Sequence, residues 1–431
     1  MLIQLLFVLT FIILGARLGG IGLGVMGGVG VALLTFVFGL QPTTPPVDVM
    51  LMIAAVISAA ACMQAAGGLD YLVKLAEKLL RSHPQYITVL APLVTYMFTF
   101  LAGTGHVAYS VLPVIAEVAT ETRIRPERPL GIAVIASQQA ITASPISAAT
   151  VALLGLLAGY DITLFDIMKI CVPATLLGVI AGALVSMKVG KELVDDPEYQ
   201  RRLKAGELDT RHCEIESAAN KNKALMSVVL FIAATVMVVV FGSVPALRPS
   251  FNGEILGMPL LIEMLMLSTA ALILVVTRTD GVQAVKGSVF SAGMQAVIAI
   301  FGIAWMGDTF INGNMTVLMD SIKTAVAEMP WLFGIALFVM SILLYSQAAT
   351  VRAIMPLGIA LGLNPMLLVA LFPTVNGYFF IPNYPTIVAA INFDRTGTTG
   401  IGKWVLNHSF MLPGMVATIV AISAGLIFIQ L

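Results

Sequence analysis

Long apolar stretches separated by short polar ones fill most of this chain. Candidate spans fall near residues 2–16, 20–40 and 46–66, then at 85–120, 129–158 and 164–188. They recur at 224–242, 258–277, 288–306, 331–362, 366–392 and 404–430. A helix that crosses a bilayer needs about 20 apolar residues. The pattern therefore predicts an all-α polytopic membrane protein. Two stretches break it. In LDYLVKLAEKLLRS (69–82), Leu69, Leu72, Val73, Ala76, Leu79 and Leu80 recur at helical spacing opposite Asp70, Lys74, Glu77, Lys78 and Arg81, which predicts a helix lying in the interface. Residues 190–223 carry many charges of both signs and read as a solvated linker between two membrane halves, 1–189 and 224–431.

The halves resemble each other. FLAGTGHVAYSVLPVIAEVA (100–119) parallels SILLYSQAATVRAIMPLGIA (341–360), with Pro113 matching Pro356. QQAITASPISAATVA (138–152) parallels YFFIPNYPTIVAA (378–390), with Pro145 matching Pro385. ICVPATLLG (170–178) parallels FMLPGMVAT (410–418), with Pro173 matching Pro413. Similar offsets for features in the same order predict one unit used twice. Each half also holds two interruptions inside long apolar runs. One is a Gly/Ser/Thr tip, at 103–106 and 346–350; the other is a proline-marked break, at 142–147 and 382–386. Bare backbone cannot face lipid, so these segments must line a cavity or be buried in protein. Paired interruptions in two halves point to a transporter binding site. The expected architecture is two inverted repeats, each of five spans plus one re-entrant hairpin, with broken helices at the centre.

Charge sharpens this picture. With five spans per half the second half enters the membrane inverted, and a periplasmic N-terminus puts 19 of the 23 Lys and Arg residues on the cytoplasmic side. Only Lys169, Arg248, Lys323 and Arg352 lie elsewhere, so the positive-inside rule predicts that both termini are periplasmic. The chain is 59% apolar and 11% charged with zero net charge, which suits lipid and gives no basis for a nucleic-acid partner. The N-terminal apolar run has no basic residue before it and leads into another, so it reads as a retained span. Cys62, Cys171 and Cys213 are scattered, with neither disulfide nor metal spacing. Gly22-x-Gly24-x-x-Gly27 spells a dinucleotide fingerprint but follows no strand, so no cofactor is expected. Gly20, Gly24 and Gly28 recur every fourth residue, as close helix packing requires.

The interruptions suggest a chemistry. A helix N-terminus offers unpaired N–H groups and a partial positive charge, which suits an anion. The second arm of each hairpin and the second half of each broken helix would begin near the membrane centre. The candidate site therefore comprises Gly103, Thr104, Gly105, His106, Thr142, Ser144, Pro145, Ser147, Ser346, Gln347, Thr350, Arg352, Asn383, Tyr384 and Thr386. For each the alternative is a structural role, satisfying broken backbone. Arg352 is the one arginine expected inside the membrane, where it needs a partner: a substrate carboxylate, or an acid such as Asp308. Asp308 is itself a candidate for ion coupling. Glu117 is expected at the interface and His408 in a structural role.

At these positions the chain resembles the Dcu family of anaerobic four-carbon dicarboxylate transporters. The resemblance rests on GARLGGIGLGVMGGVG (15–30), AAGGLDYL (65–72), LAGTGHV (101–107), ITASPIS (141–147), GIAWMGDTF (302–310), YSQAAT (345–350), YPTIVAAINFDRTGTTGIGKWVLNH (384–408) and SFMLPG (409–414). It implies exchange of fumarate, malate, aspartate and succinate across a bacterial inner membrane by alternating access, with hairpins and broken helices moving together. The hairpin-and-break pattern is more distantly similar to divalent-anion transporters with Ser-Asn-Thr tips, where this chain has GTGH, TASPIS, SQAAT and IPNYPT. A homodimer through the glycine-rich second span and a sensor-kinase partner stay open. The rivals are a cation/proton antiporter, which would place acids at the breaks, and an intramembrane hydrolase, which would need a nucleophile with its base or a metal set. The tips and breaks hold none of these.

Overall fold

The computed structural model describes every residue except 19, 20, 46, 207, 209–220, 252, 315, 318–328, 330, 345, 383 and 403–405. Helices α1 (Leu2–Leu18), α2 (Gly22–Phe36) and α3 (Val47–Ala65) open the chain. Then follow α4 (Gly68–Ser82), α5 (Ile87–Ala102), α6 (Ala108–Glu121), α7 (Glu127–Gln139), α8 (Ala148–Leu156) and α9 (Leu164–Ser186). A short α10 (Pro197–Lys204) precedes α11 (Lys221–Ser243), and a two-stranded hairpin, β1 (Ser250–Phe251) with β2 (Glu254–Ile255), leads to α12 (Met258–Thr277). The rest comprises α13 (Gly281–Lys286), α14 (Ser288–Gly313), α15 (Trp331–Leu344), α16 (Gln347–Ala360), α17 (Pro365–Leu371), α18 (Pro385–Phe393) and α19 (Met411–Phe428).

Among the described residues, 6 helices are long and apolar enough to cross a membrane. The shorter apolar helices, including α15, reach 10–17 residues. At 1.5 Å per residue, the 14 residues of α15 rise about 21 Å, short of the roughly 30 Å hydrocarbon core. α3 and α4 bend by 71° at their junction, where Gly67 takes φ +81°, a conformation that favours glycine. α4 buries Leu69, Val73, Ala76 and Leu80 and leaves Leu75 and Leu79 exposed, as an interfacial helix would.

The helices pack in matching pairs. α1 lies on α2 as α11 lies on α12; α2 packs on α14 as α12 packs on α3; α9 runs along α19. Glycine sets the closest approach. A Cβ on Gly24 would fall 2.0 Å from the Ile298 carbonyl oxygen, and one on Gly302 would fall 1.7 Å from that of Gly24. The glycine spacing of α2 thus serves contact within the chain at Gly24 and Gly27, whereas Gly28 faces open space.

The first part of the segment expected to be a solvated linker is docked. Arg125 pairs with Asp196 at 2.6 Å, Arg128 with Glu192 at 3.0 Å, and Arg202 donates to the Arg395 carbonyl at 3.0 Å. Gly190 and Gly397, at φ +66° and +78°, leave room for the Arg125 and Arg202 guanidinium groups. A run of mixed charge looks the same in sequence whether water or opposite charges on a neighbouring loop satisfy it.

Candidate functional site

Both expected breaks are present. α7 is buried from Pro129 through Gln139, and the chain then tightens into a 3-10 turn, Ala140–Thr142. Pro145 has no N–H to continue a helix. Ser147 is extended and caps α8, accepting from the Thr150 N–H at 3.1 Å and donating to the Ile141 carbonyl at 2.6 Å. In the second half α17 runs into a buried 3-10 segment, Phe372–Phe379, kinked at Asn376. The helix restarts at α18 with Pro385 in its first turn.

The tips meet these breaks. Gly103 closes α5 at φ +70°, and a Cβ there would lie 2.9 Å from the Ile146 carbonyl oxygen. A Cβ on Gly105 would lie 2.5 Å from Gln138 Nε2, at the end of α7. In the second tip Ser346 caps α16 by accepting from the Ala349 N–H at 3.2 Å, and Thr350 donates back to the Ser346 carbonyl at 2.8 Å. Gln347 Nε2 donates to Gln138 Oε1 at 3.0 Å and to Asn376 Oδ1 at 3.3 Å. Asn376 Nδ2 in turn reaches Gln139 Oε1 at 3.1 Å and Thr142 Oγ1 at 3.4 Å, and Gln139 Nε2 donates to Thr418 Oγ1 of α19 at 3.1 Å. One buried network therefore joins both halves. α8 packs on α16 and α6 on α18, so each restarted helix lies against the second arm of the other half's hairpin.

The expected residues divide accordingly. Gly105, Thr142 and Gln347 meet at the network, Gly103 lies against Ile146 of the first break, and Thr104 is half-buried at the first tip. Ser144 is buried and donates to the Phe100 carbonyl at 2.7 Å, tying the first break to the first hairpin. Pro145 is buried, Ser147 and Ser346 cap helices, and Thr350, inside α16, bonds back to the Ser346 carbonyl, the structural alternative held open for these three. Thr386 is buried with its hydroxyl unpartnered, and the Tyr384 ring sits 4.7 Å from that of Tyr378. Arg352 is half-buried away from the network, at a range where its charge and that of Asp308 interact. Asn383 and the His106 side chain lie outside the described residues. Glu117 accepts from Arg81 at 2.8 Å, and His408 is held near the Phe380 carbonyl and the Phe410 N–H, in keeping with the structural role expected of it. The sequence reading missed Gln138, Gln139, Asn376 and Thr418. The signal for three of them was a glutamine pair and an asparagine in largely apolar runs; Thr418 carried none.

Residues 1–431 match the family profile described as anaerobic C4-dicarboxylate membrane transporter. The anaerobic C4-dicarboxylate transporter DcuB of Escherichia coli O6:H1 is 43% identical over 436 residues, covering 99% of this chain and 98% of the relative. The C4-dicarboxylate transporter DcuA of E. coli K12 is 44% identical over the same share of each chain. The chain belongs to the DcuA/DcuB family. It is thus a member of a membrane-transporter family and not of an enzyme family, and the motif resemblance and the profile match both extend along its length. The DcuA of Wolinella succinogenes, 44% identical over 98% of both chains, falls in the same group. Two solved structures share the fold of this DcuA/DcuB-family chain at low identity. The Alcanivorax borkumensis YdaH transporter, described as having an unusual topology, gives a TM-score of 0.54 at 14% identity, covering 99% of this chain and 96% of its own. Neisseria gonorrhoeae MtrF, of a class of antimetabolite efflux pumps, gives 0.52 at 13%, covering 93% and 84%.

Proposed function

We propose that this chain exchanges four-carbon dicarboxylates such as fumarate, malate, aspartate and succinate across a bacterial inner membrane by alternating access, binding them between the two tips and the two breaks. The observation that carries this reading is the buried, uncharged hydrogen-bond network in which Gln138 and Asn376 join both halves. Helix starts at Ser147 and Ser346 sit at the adjoining break and tip, and their N–H groups suit carboxylate oxygens. Two inverted repeats would account for the paired packing, α1 on α2 as α11 on α12, α2 on α14 as α12 on α3, and α8 on α16 as α18 on α6. The grouping of the 123–128, 188–204 and 394–400 segments at one end supports a cytoplasmic face there and periplasmic termini.

The test is uptake of radiolabelled fumarate by proteoliposomes. Liposomes loaded with succinate should take it up, and empty ones should not; equal uptake by both would end the exchange reading. A cysteine placed at residue 205, with Cys213 removed, should resist impermeant thiol reagents in intact spheroplasts. Rapid labelling would overturn the orientation.

A further inference from the structure

The amides around the tips have a direction. Gln139 donates to Thr418 and accepts from Asn376; Asn376 accepts from Gln347; Gln347 also donates to Gln138 Oε1. Each bond orients the next amide. Turning Gln138 over would set its NH2 against that of Gln347, so the atom left at the end of the chain is a donor. That atom, Gln138 Nε2, is buried without a partner and lies against Gly105 of the first tip. Two further buried hydroxyls lack a partner among the described residues, Thr99 in the last turn of α5 and Thr386 in the first turn of α18. Buried donors without acceptors are costly unless something fills the need. A carboxylate offers only acceptors, about four lone-pair sites on two oxygens.

We infer that Gln138 is a specificity-determining residue that donates from Nε2 to one carboxylate of the substrate, held in register by Gln347, with Gly105, which has no Cβ, allowing the first tip to close against that amide. The inference rests on the dicarboxylate transport proposed above. Gln138 touches both tips, lying against Gly105 of the first and bonded by Gln347 of the second.

The variants are Gln138→Met, which keeps the side-chain length but removes the donor, and Gln138→Glu, which replaces the donor with negative charge. Each is reconstituted and assayed for fumarate exchange, with succinate and its monoamide succinamate as competitors. Gln138→Met should raise the half-saturating fumarate concentration about tenfold to a hundredfold with little change in maximal rate, and Gln138→Glu should raise it further. The preference for succinate over succinamate should shrink in Gln138→Met by about fivefold or more. A merely structural role would weaken both competitors equally, and an unchanged preference would overturn the inference. If Gln138→Met fails to fold, Gly105→Ala, whose methyl meets Gln138 Nε2, should lower the same preference; wild-type preference there would overturn it equally. Wild-type protein inert towards both fumarate and succinate would overturn the transport reading and this inference with it. Active wild type with an unaltered Gln138→Met would overturn the inference alone.

Discussion

The molecule handles polarity in opposite ways at its centre and at its charged rim. At the centre, Gln138, Gln139, Gln347, Asn376, Thr142 and Thr418 are buried, neutral and bonded across both halves. At the rim, Arg125 meets Glu127 and Asp196, Arg128 meets Glu192, and Arg81 meets Glu77, Glu117 and Glu121, with water or loop backbone close by. Burying a charge costs far more than burying a hydrogen-bonded amide. A centre built of fixed ions would also neutralise itself and leave little for a charged solute. Neutral amides hold their geometry and still present a spare donor.

The largest expected effect comes from breaking the centre. Asn376→Leu leaves Gln139, Gln347 and Thr142 each short of a partner, at about 1–3 kcal/mol per buried group. Exchange should fall about a hundredfold or more, and the thermal midpoint should drop, as vesicle flux and a melting curve would show. A smaller effect is expected at the rim from Arg125→Met, which strands Glu127 and Asp196. Breaking a fully buried pair costs about 3–5 kcal/mol, and the 11% and 12% exposure of Arg125 and Asp196 reduces this to about 2. Stability should fall while fumarate affinity holds, which separates the two regions. Lost affinity instead would show that the rim couples to the site.

Acid should act on the rim as well. Burial pushes the Asp196 carboxyl up, but the Tyr199 N–H and the Arg125 guanidinium more than offset this and hold it below its usual value of 3.8. A carboxyl with a lowered native pKa stabilises the fold above its unfolded pKa, and that contribution drains away as pH falls through the native value. Protease cleavage within 190–204 should therefore be flat from neutral pH down to about 4 and rise only below that. Asp196→Asn should flatten the rise. Smallest of all should be Arg81→Gln. Arg81 is 35% exposed, so its loss should cost less than about 1 kcal/mol and less still in high salt, checked by melting at two ionic strengths.

The same contrast explains what the sequence could reveal. Tips and breaks were legible because Gly103, Pro145 and Pro385 interrupt apolar runs, and backbone geometry demands particular residues there. The amphipathic helix α4 was legible because its apolar positions recur at helical spacing, and Leu69, Val73, Ala76 and Leu80 of that face are buried. Gln138, Gln139, Asn376 and Thr418 were not, because a neutral polar residue in an apolar run has no period and its partners lie more than 200 positions away in three of the bonds that join the halves. The docking of residues 190–204 was hidden for the same reason, since its partners at 125, 128 and 395 are distant in the chain. Serine and threonine at the breaks stood out by composition, yet several serve as caps, a role that residue type alone cannot separate from ligand binding.

The near-touching backbones of α2 and α14 have a mechanical meaning. Where Gly24 and Gly27 face Ile298 and Gly302, backbone meets backbone with no side chain between to act as a bearing. Sliding one past the other would drive Cα atoms into carbonyl oxygens, so the pair behaves as a single stiff post. Elsewhere side chains intervene, as around the small apolar cleft between Met63, Leu69, Phe98, Val107 and Phe231. Any movement of the other helices would take this pair as its fixed reference.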